Sequence, residues 1–181
     1  MKKIILLTGF MGSGKSFLIK KFQREFKLNK NVTLIDLDSE VLKSSSATSV
    51  IEMGLKNFRR EEQKVFKKLI KQFSSEVSSE STLVIGLGGG TLNEKAFNFI
   101  ATIPLVQIVW LNVPFEVCYK RIQDEQKKTG LTRPLLKKGE EHLMRLYEKR
   151  KSFYSRSNIK LSLEEIDKIN TFHDLLKYLQ K

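Results

Sequence analysis

The chain of 181 residues has few of the residues that cross-link or interrupt a fold: one cysteine, three prolines and two histidines. A single cysteine, Cys118, cannot form an internal disulfide, which predicts a reducing setting, the cytoplasm. The first apolar run, Ile4 to Leu7, is too short for the hydrophobic core of a signal peptide and for a membrane span. These absences argue against a disulfide-stapled secreted scaffold and predict a soluble cytoplasmic protein without a membrane partner.

Acidic residues are also scarce, with 20 Asp and Glu against 33 Lys and Arg, for a net charge of +13. Such a surplus fits a nucleic-acid binder, because cations neutralise phosphates, and that alternative stays open. However, the longest uninterrupted basic run is only 149–151, and no nucleic-acid-binding motif accompanies it. A basic field also attracts small anions. We therefore expect small anionic ligands rather than nucleic acid.

Short β-rich runs alternate with longer helical patterns, and no repeat or linker divides the chain. This alternation predicts one doubly wound α/β domain over residues 1–181, with a five-stranded, mostly parallel sheet flanked by helices. Ligands of such folds bind beyond the carboxyl ends of the strands. The expected strands are Lys3–Thr8, Val32–Asp36, Leu83–Leu87, Val106–Leu111 and Asn158–Leu161.

Helical patterns fill the intervals between these strands. The expected helices are Ser16–Phe26, a short one after the second strand, Asn57–Ser78, Glu94–Ile100, Phe115–Gln126, Glu140–Ser157 and Thr171–Gln180. The segment Thr129–Lys138 contains Gly130 and Pro134 between lysines, and it predicts a mobile loop.

A complete G-x-x-x-x-G-K-S motif follows the first strand, from Gly9 to Ser16. Its glycines let backbone N–H groups point at phosphate oxygens, and the next helix presents its positive end. Lys15 is expected to reach the β- and γ-phosphates, and the Ser16 hydroxyl to bind Mg²⁺. A chance glycine-rich turn is a poor explanation for a complete motif between a predicted strand and a predicted helix, so the motif predicts ATP binding with magnesium.

Asp36 and Asp38 flank the end of the second predicted strand. Residues two apart on an extended chain point to the same side, so both carboxylates are expected to face the crevice beside the phosphate loop. One would hold a magnesium-bound water and the other would accept a hydrogen bond from an attacking hydroxyl. Alternatively, Asp38 or Ser39 only caps the next helix.

Two helices carry charges where apolar residues are expected. Glu62 falls within the apolar stripe of its helix, with Arg59 within reach three residues earlier. Because an unpaired buried carboxylate is costly, we expect Glu62 to hold Arg59 toward a ligand. Arg150 shares a face with apolar residues of a later helix and is expected to point inward, to bind a carboxylate or phosphate. A structural ion pair or a frayed pattern remains the alternative for both.

Two further signals are weaker. Arg133, in the predicted mobile loop, would stabilise charge on a transferring phosphoryl group if the loop closes, or it is simply solvated. Gly88, Gly89 and Gly90 follow the third strand, where they permit close approach of a ligand or form only a tight turn.

The order of these features resembles the shikimate kinases, from Gly9 to about Ser157. The resemblance is carried by the phosphate loop, Asp36-Leu-Asp38, Phe58-Arg59-Arg-Glu-Glu62, Gly88–Gly90, Arg133-Pro-Leu-Leu and Arg150. The phosphate loop is common to many kinases, whereas the other motifs in this order are far more specific.

This resemblance implies an enzyme that transfers the γ-phosphoryl group of ATP to the 3-hydroxyl of shikimate, in aromatic amino acid biosynthesis. It implies that Lys15, Asp38 and Arg133 are catalytic, that Asp36 supports magnesium through water, and that Arg59 and Arg150 clamp the acceptor carboxylate. The ATP-binding residues would be Gly12, Ser13, Gly14, Lys15, Ser16, Phe17 and Arg133, and Gly88, Gly89 and Gly90 would line the acceptor ring. The acceptor segment is expected at about 38–66, the lid at about 127–138, and the protein as a monomer.

Three features depart from the family pattern. Leu55 follows Gly54 where an acid is usual, the stretch from Ser49 to Phe58 looks shortened, and Phe17 replaces a common threonine. The alternatives left open are a related kinase acting on gluconate or a nucleotide, and a nonenzymatic ATP-binding member of the family.

Overall fold

The computed structural model describes residues 2–26, 31–45, 47, 49–75, 80–130 and 135–180. The strands are β1 Lys3–Thr8, β2 Val32–Asp36, β3 Thr82–Gly86, β4 Val106–Asn112 and β5 Ile159–Ser162. The helices are α1 Lys15–Glu25, α2 Leu37–Lys43, α3 Val50–Met53, α4 Leu55–Ser75, α5 Glu94–Ile100, α6 Phe115–Thr129, α7 Glu140–Tyr154, α8 Leu163–Asp167 and α9 Phe172–Tyr178, with a 3-10 helix at Leu136–Lys138.

The sheet has the strand order β2-β3-β1-β4-β5, and every neighbouring pair is parallel. Parallel neighbours require crossover connections, which the helices between the strands supply. The chain leaves β1 toward β2 on one side and later returns to β4 on the other. The carboxyl end of β1 is therefore a switch point, where ligands of doubly wound sheets bind.

Alternating side chains of β1 divide the interior into two cores. Ile5 and Leu7 pack on one face of the sheet, with residues of α1, α6, α7, α8 and α9. Ile4 and Leu6 pack on the other, with residues of α2, α4 and α5. Since successive side chains of a strand point to opposite faces, a nearly continuous apolar strand buries both faces. The prediction of a doubly wound fold is confirmed, and the sheet is parallel throughout.

The strand predictions hold to within one residue at each end. Two predictions about the other segments differ from the structure, and two short helices were missed. The segment Thr129–Lys138 is not one loop, because Thr129 ends α6 and Leu136–Lys138 forms a 3-10 helix. Helices α3 and α8 were not predicted, since each has only one or two helical turns. The helix predicted to end at Ser157 stops at Tyr154. None of the helices among the described residues is long and apolar enough to cross a membrane.

Candidate active site

The phosphate loop connects β1 to α1 through three glycines in the left-handed backbone region. Gly9, Gly12 and Gly14 have φ angles of 144°, 80° and 100°, which side chains other than glycine rarely tolerate. A Cβ atom on Gly12 would also collide with the backbone carbonyl of Cys118, on α6. The sequence spacing therefore produces a backbone curl that only glycine permits, and it ends at the N-terminus of α1.

Lys15 is 8% exposed, and its ammonium group lies inside this curl. Its Nζ donates to the carbonyl oxygens of Gly9, at 2.8 Å, and Phe10, at 2.9 Å, and lies 3.3 Å from the Ser13 Oγ. Ser16, next along α1, is exposed. The structure thus holds the lysine charge at the floor of the loop and presents the serine hydroxyl at its mouth.

A cavity opens above the loop at the carboxyl ends of β2 and β3. It has a volume of about 190 Å³. Its walls are formed by Met11, Gly12, Gly14, Lys15, Ser16, Phe17, Asp36, Asp38, Gly86, Leu87, Gly89 and Glu125. Backbone N–H groups of the loop, the lysine and the start of α1 are features that suit a phosphate group, so we call this the phosphate cavity. Asp36 and Asp38 both line it, as predicted.

The backbone conformation that brings the two aspartates to the cavity differs from the prediction. The strand ends at Asp36 and α2 begins at Leu37, so Asp38 lies on the first helical turn rather than on an extended chain. The alternative that Asp38 or Ser39 caps this helix is also wrong. Asp36 is the cap, because its Oδ1 accepts from the backbone N–H and the hydroxyl of Ser39, each at 3.1 Å.

Asp38 has an unfavourable environment for a charged carboxylate. Its Oδ1 atom is buried and has no hydrogen-bond partner among the described residues. Burial, with the nearby carboxylates of Glu62 and Asp36, raises the pKa of Asp38 above its ordinary value, against the opposing charges of Arg59 and Lys15. An oxygen left in this state inside a cavity is well suited to accept a hydrogen bond from a ligand hydroxyl.

Arg59 and Glu62 form the predicted pair on one face of α4. The Glu62 side chain is fully buried, and its Oε1 accepts from Arg59 Nη1 at 2.6 Å. The same oxygen accepts from the Thr91 hydroxyl at 2.8 Å. Gln63 donates from Nε2 to the Thr91 carbonyl at 2.8 Å. The carboxylate thus ties the arginine to the loop after β3, which fixes the guanidinium beside the glycine run.

Arg150 points inward from α7, as predicted. Its Nη1 is buried and has no hydrogen-bond partner among the described residues, and burial lowers the pKa of its guanidinium. Its Cζ lies 5.8 Å from the centre of the Phe10 ring. One turn later, the Tyr154 hydroxyl donates to the Gly89 carbonyl. A desolvated guanidinium with an unused donor is a strong site for an anion.

The three glycines after β3 leave room for these charged groups. A Cβ on Gly88 would collide with Glu62 Oε1 and lie 2.6 Å from Asp38 Oδ1. A Cβ on Gly90 would lie 2.9 Å from Arg150 Nη2 and 3.3 Å from Arg59 Cζ. Their φ angles do not require glycine. The glycine run therefore does more than form a tight turn. Because it has no side chains, two arginine and two acidic side chains can lie close together beside it.

A second cavity, of about 120 Å³, lies where these groups converge. It combines the carboxylate of Asp38 and the guanidinium groups of Arg59 and Arg150 with an apolar wall. Its full lining is Met11, Asp38, Val50, Leu55, Phe58, Arg59, Gly89, Leu135 and Arg150. Met11, Asp38 and Gly89 also line the phosphate cavity. The two cavities therefore meet at Asp38.

A third cavity, of about 490 Å³, adjoins the other end of the phosphate loop. It is lined by Ser13, Gly14, Phe17, Leu18, Lys21, Arg121, Ile166, Asp167 and Ile169. Arg121, on α6, approaches the Gly12 carbonyl, with its Nη1 at 3.5 Å. Apolar side chains and an arginine suit a flat aromatic group, so this cavity fits the base and sugar of a nucleotide.

Several residues in or next to the cavities were not found from the sequence. Thr91 and Gln63 act only through contacts between α4 and the loop after β3, and Arg121 and Glu125 reach the site from α6. Polar residues on solvated helix faces give no sequence signal of this kind. Arg133 lies outside the described residues, so its assignment to a lid stays a prediction.

Comparison with known proteins identifies the family to which this chain is similar. Residues 11–180 match the family model for shikimate kinase. The shikimate kinase of Aquifex aeolicus is 32% identical over 162 residues, which cover 89% of this chain and 87% of that protein. That of Caldicellulosiruptor bescii is 34% identical over 168 residues, covering 90% and 87%.

The fold agrees with this match. The crystal structure of shikimate kinase from Bacteroides thetaiotaomicron superposes with a TM-score of 0.68, at 24% identity, over 98% of this chain and 96% of that one. The family motif order, the parallel sheet and the two joined cavities lead to one conclusion: this chain belongs to the shikimate kinase family.

Proposed function

We propose that this protein is a shikimate kinase, which transfers the γ-phosphoryl group of ATP to the 3-hydroxyl of shikimate. One observation carries the proposal. The phosphate cavity and the cavity lined by Arg59 and Arg150 meet at Asp38. A hydroxyl bound to that carboxylate would lie beside the end of the triphosphate, which is the arrangement that direct transfer requires.

The second cavity suits a small hydroxylated acid. Two guanidinium groups offer paired donors for one carboxylate. Arg59 is held by Glu62, whereas the buried Nη1 of Arg150 has no hydrogen-bond partner in the part of the chain that the structure describes. The apolar wall, with Leu55 and Phe58, suits the carbon face of a ring. Shikimate combines a carboxylate, a ring and hydroxyls, and so it matches all three features.

The phosphate cavity fits ATP with Mg²⁺. Ser16 and Asp36 supply the hard oxygen ligands that Mg²⁺ prefers, and both line the cavity. Among the described residues there is no cluster of three or more acidic, histidine or cysteine side chains that could hold a metal. This fits an ion carried mainly by phosphates and water, which when bound would neutralise phosphate charge. Ser16 would bind it directly and Asp36 through water.

The chemistry is a single displacement. The oxygen of the acceptor hydroxyl forms a bond to the γ-phosphorus as the bond from that phosphorus to the bridging oxygen of ADP breaks. Asp38 orients the hydroxyl and accepts its hydrogen bond, and the hydroxyl proton passes to this carboxylate as the new ester bond forms, from where it is released to solvent. Lys15 neutralises charge on the phosphates. We propose that Arg133, on a lid at about 127–138, adds positive charge there and that lid closure excludes water.

We further propose that residues 38–66 form the acceptor segment of a single domain, and that the protein works as a cytoplasmic monomer. Within that segment, Val50 and Leu55 line the acceptor cavity. If this cavity binds the acceptor, Leu55 would contact it, at a position where the family usually has an acid. Light scattering of the purified protein would test the monomer.

The alternatives are distinguished by the acceptor. Release of ADP from Mg-ATP should be measured with shikimate, gluconate and nucleoside monophosphates in turn, and the product identified by mass spectrometry. The proposal requires that shikimate alone stimulates release and gains one phosphoryl group. Stimulation by gluconate or a nucleotide would identify a related kinase. ATP binding without stimulation by any acceptor would identify a nonenzymatic member of the family.

A further inference from the structure

Phe17 has no role in the transfer chemistry described above. Its side chain is 67% exposed, which is unusual for a large apolar residue in the part of the chain that the structure describes. It lies in the first turn of α1, directly after the magnesium-binding Ser16. Phosphate loops of the family that this chain resembles often have a threonine at this position. A bulky ring left in water at the mouth of a binding site requires an explanation, since exposure of its apolar surface is unfavourable.

The ring occupies the boundary between two cavities. Phe17 lines both the phosphate cavity and the larger cavity formed with Arg121 and Ile169. Lys21, one turn along α1, brings its ammonium to 5.9 Å from the centre of the ring. The same ammonium donates to the carbonyl of Ile169 at 3.0 Å. The ring thus belongs to a wall that links α1 to the segment after α8.

We propose that Phe17 is a specificity-determining residue for the phosphate donor, whose ring packs against the nucleoside part of ATP. This inference rests on the proposed function, in which the large cavity receives the base and sugar. The side chain of Phe17 cannot donate a hydrogen bond to a phosphate. It offers instead apolar and π contact, which an aromatic base can use and a bare phosphate chain cannot.

The proposal predicts that Phe17 contributes to affinity only when the ligand carries a nucleoside. The test measures binding of Mg-ATP, Mg-UTP and magnesium tripolyphosphate by calorimetry to the wild type and to Phe17→Ala. We expect Phe17→Ala to weaken Mg-ATP binding about tenfold, the effect of losing one base–aromatic contact. Mg-UTP should lose less, because a pyrimidine has a smaller stacking face, and tripolyphosphate binding should be unchanged.

Two further variants make the result specific. Phe17→Tyr keeps the ring and should retain the wild-type affinity for Mg-ATP. Leu105→Ala shortens another exposed apolar side chain at the opposite end of the sheet, and should change none of the affinities. Wild-type affinity of Phe17→Ala for Mg-ATP would overturn the proposal. Equal weakening of ATP and tripolyphosphate would also overturn it, by showing that the residue shapes the phosphate loop.

These outcomes are independent of the acceptor. If the wild type binds Mg-ATP but does not phosphorylate shikimate, the proposed function fails. The binding measurements on the Phe17 variants would still test whether the ring contacts the nucleoside. If shikimate is phosphorylated and Phe17→Ala binds Mg-ATP normally, only the Phe17 inference fails.

Discussion

The carboxylates of Asp38 and Glu62 approach the same face of Gly88, so closely that one methyl group added to that glycine would meet both. Asp38 lies on α2 and Glu62 on α4. Both carboxylates pack against Gly88, in the loop after β3, where only a hydrogen atom fits in place of a side chain. Each also keeps one buried oxygen without a hydrogen-bond partner among the described residues. Two carboxylates are therefore concentrated beside the cavity that is proposed to bind the acceptor, and the neighbouring arginines offset their charge.

Gly88→Ala should disrupt this arrangement. The added Cβ would collide with Glu62 Oε1 and crowd Asp38 Oδ1, so we expect a loss of about 1–3 kcal/mol in the free energy of unfolding, as for other overpacked sites. Shikimate phosphorylation should fall with it. Thermal unfolding and steady-state kinetics measure the two effects.

Gly139→Ala provides the matched control for this substitution. It has open space around the new Cβ, but its φ and ψ angles of 83° and 165° lie in a region that is almost exclusive to glycine, so it should cost about 1–3 kcal/mol of stability through backbone strain. Turnover per folded molecule should remain that of the wild type. An active Gly88→Ala variant of normal stability would show that the two carboxylates can separate without cost.

Asp38→Asn should lower activity and raise stability at neutral pH. Because burial and the neighbouring acids raise the pKa of Asp38 in the folded state, the folded protein binds this proton more tightly than the unfolded chain. Stability from this residue is therefore present at low pH and is lost as pH rises from about 4 through the raised pKa. The variant should lack that loss, unfold at a higher temperature at neutral pH, and turn over about 100-fold more slowly.

The measurement is thermal unfolding across pH 3 to 8 for the wild type and the variant. Asp124→Asn changes an exposed aspartate of α6 in the same way and should leave both the pH profile and the turnover unaltered. A destabilised Asp38→Asn protein at neutral pH would contradict the sign of this argument.

Arg150→Ala should weaken acceptor binding. Loss of a desolvated charged donor to a carboxylate costs about 1.5–3 kcal/mol, which corresponds to roughly 10- to 100-fold in the Michaelis constant for shikimate. The affinity for Mg-ATP should be retained. Arg145→Ala, on the exposed side of the same helix, serves as the control. Normal shikimate binding by Arg150→Ala would show that its guanidinium does not contact the acceptor.

Thr91→Val should loosen Arg59 without removing it. Valine has the same shape but cannot donate to the buried Glu62 carboxylate, so we expect a loss of about 1–3 kcal/mol in stability and a higher Michaelis constant for shikimate. Thr91→Ser keeps the hydroxyl and should restore the Michaelis constant. If valine destabilised the protein but left that constant unchanged, Thr91 would have only a structural role.

The fold was predictable because its apolar pattern is strong. Each interior strand is apolar on both faces, and such runs between helical segments fit few arrangements other than a parallel sheet. The phosphate loop was predictable because its glycines have backbone angles that other residues avoid. Glu62 and Arg150 were found because a charge within an apolar stripe contradicts its surroundings, and both are turned inward in the structure.

Contacts between distant segments could not be derived in this way. Nothing local to Thr91 indicates that its hydroxyl meets Glu62, 29 residues earlier. Asp38 was expected on an extended chain just after the second strand, because local propensity does not show that α2 begins at the residue that follows β2. There, the side chain of Asp36 accepts from the free backbone N–H of Ser39, and this cap lets the helix begin immediately after the strand.

Lys15 donates to the carbonyl oxygens of Gly9 and Phe10 within the phosphate loop. Binding of a triphosphate is consequently an exchange, in which the lysine leaves neutral acceptors for anionic ones and water must solvate the carbonyls it vacates. The heat released on nucleotide binding will thus underestimate the strength of the lysine–phosphate contact. Removing the lysine side chain would also take a donor from the Gly9 carbonyl before any nucleotide arrives, whereas the Phe10 carbonyl would keep the backbone N–H of Ser13, at 3.1 Å.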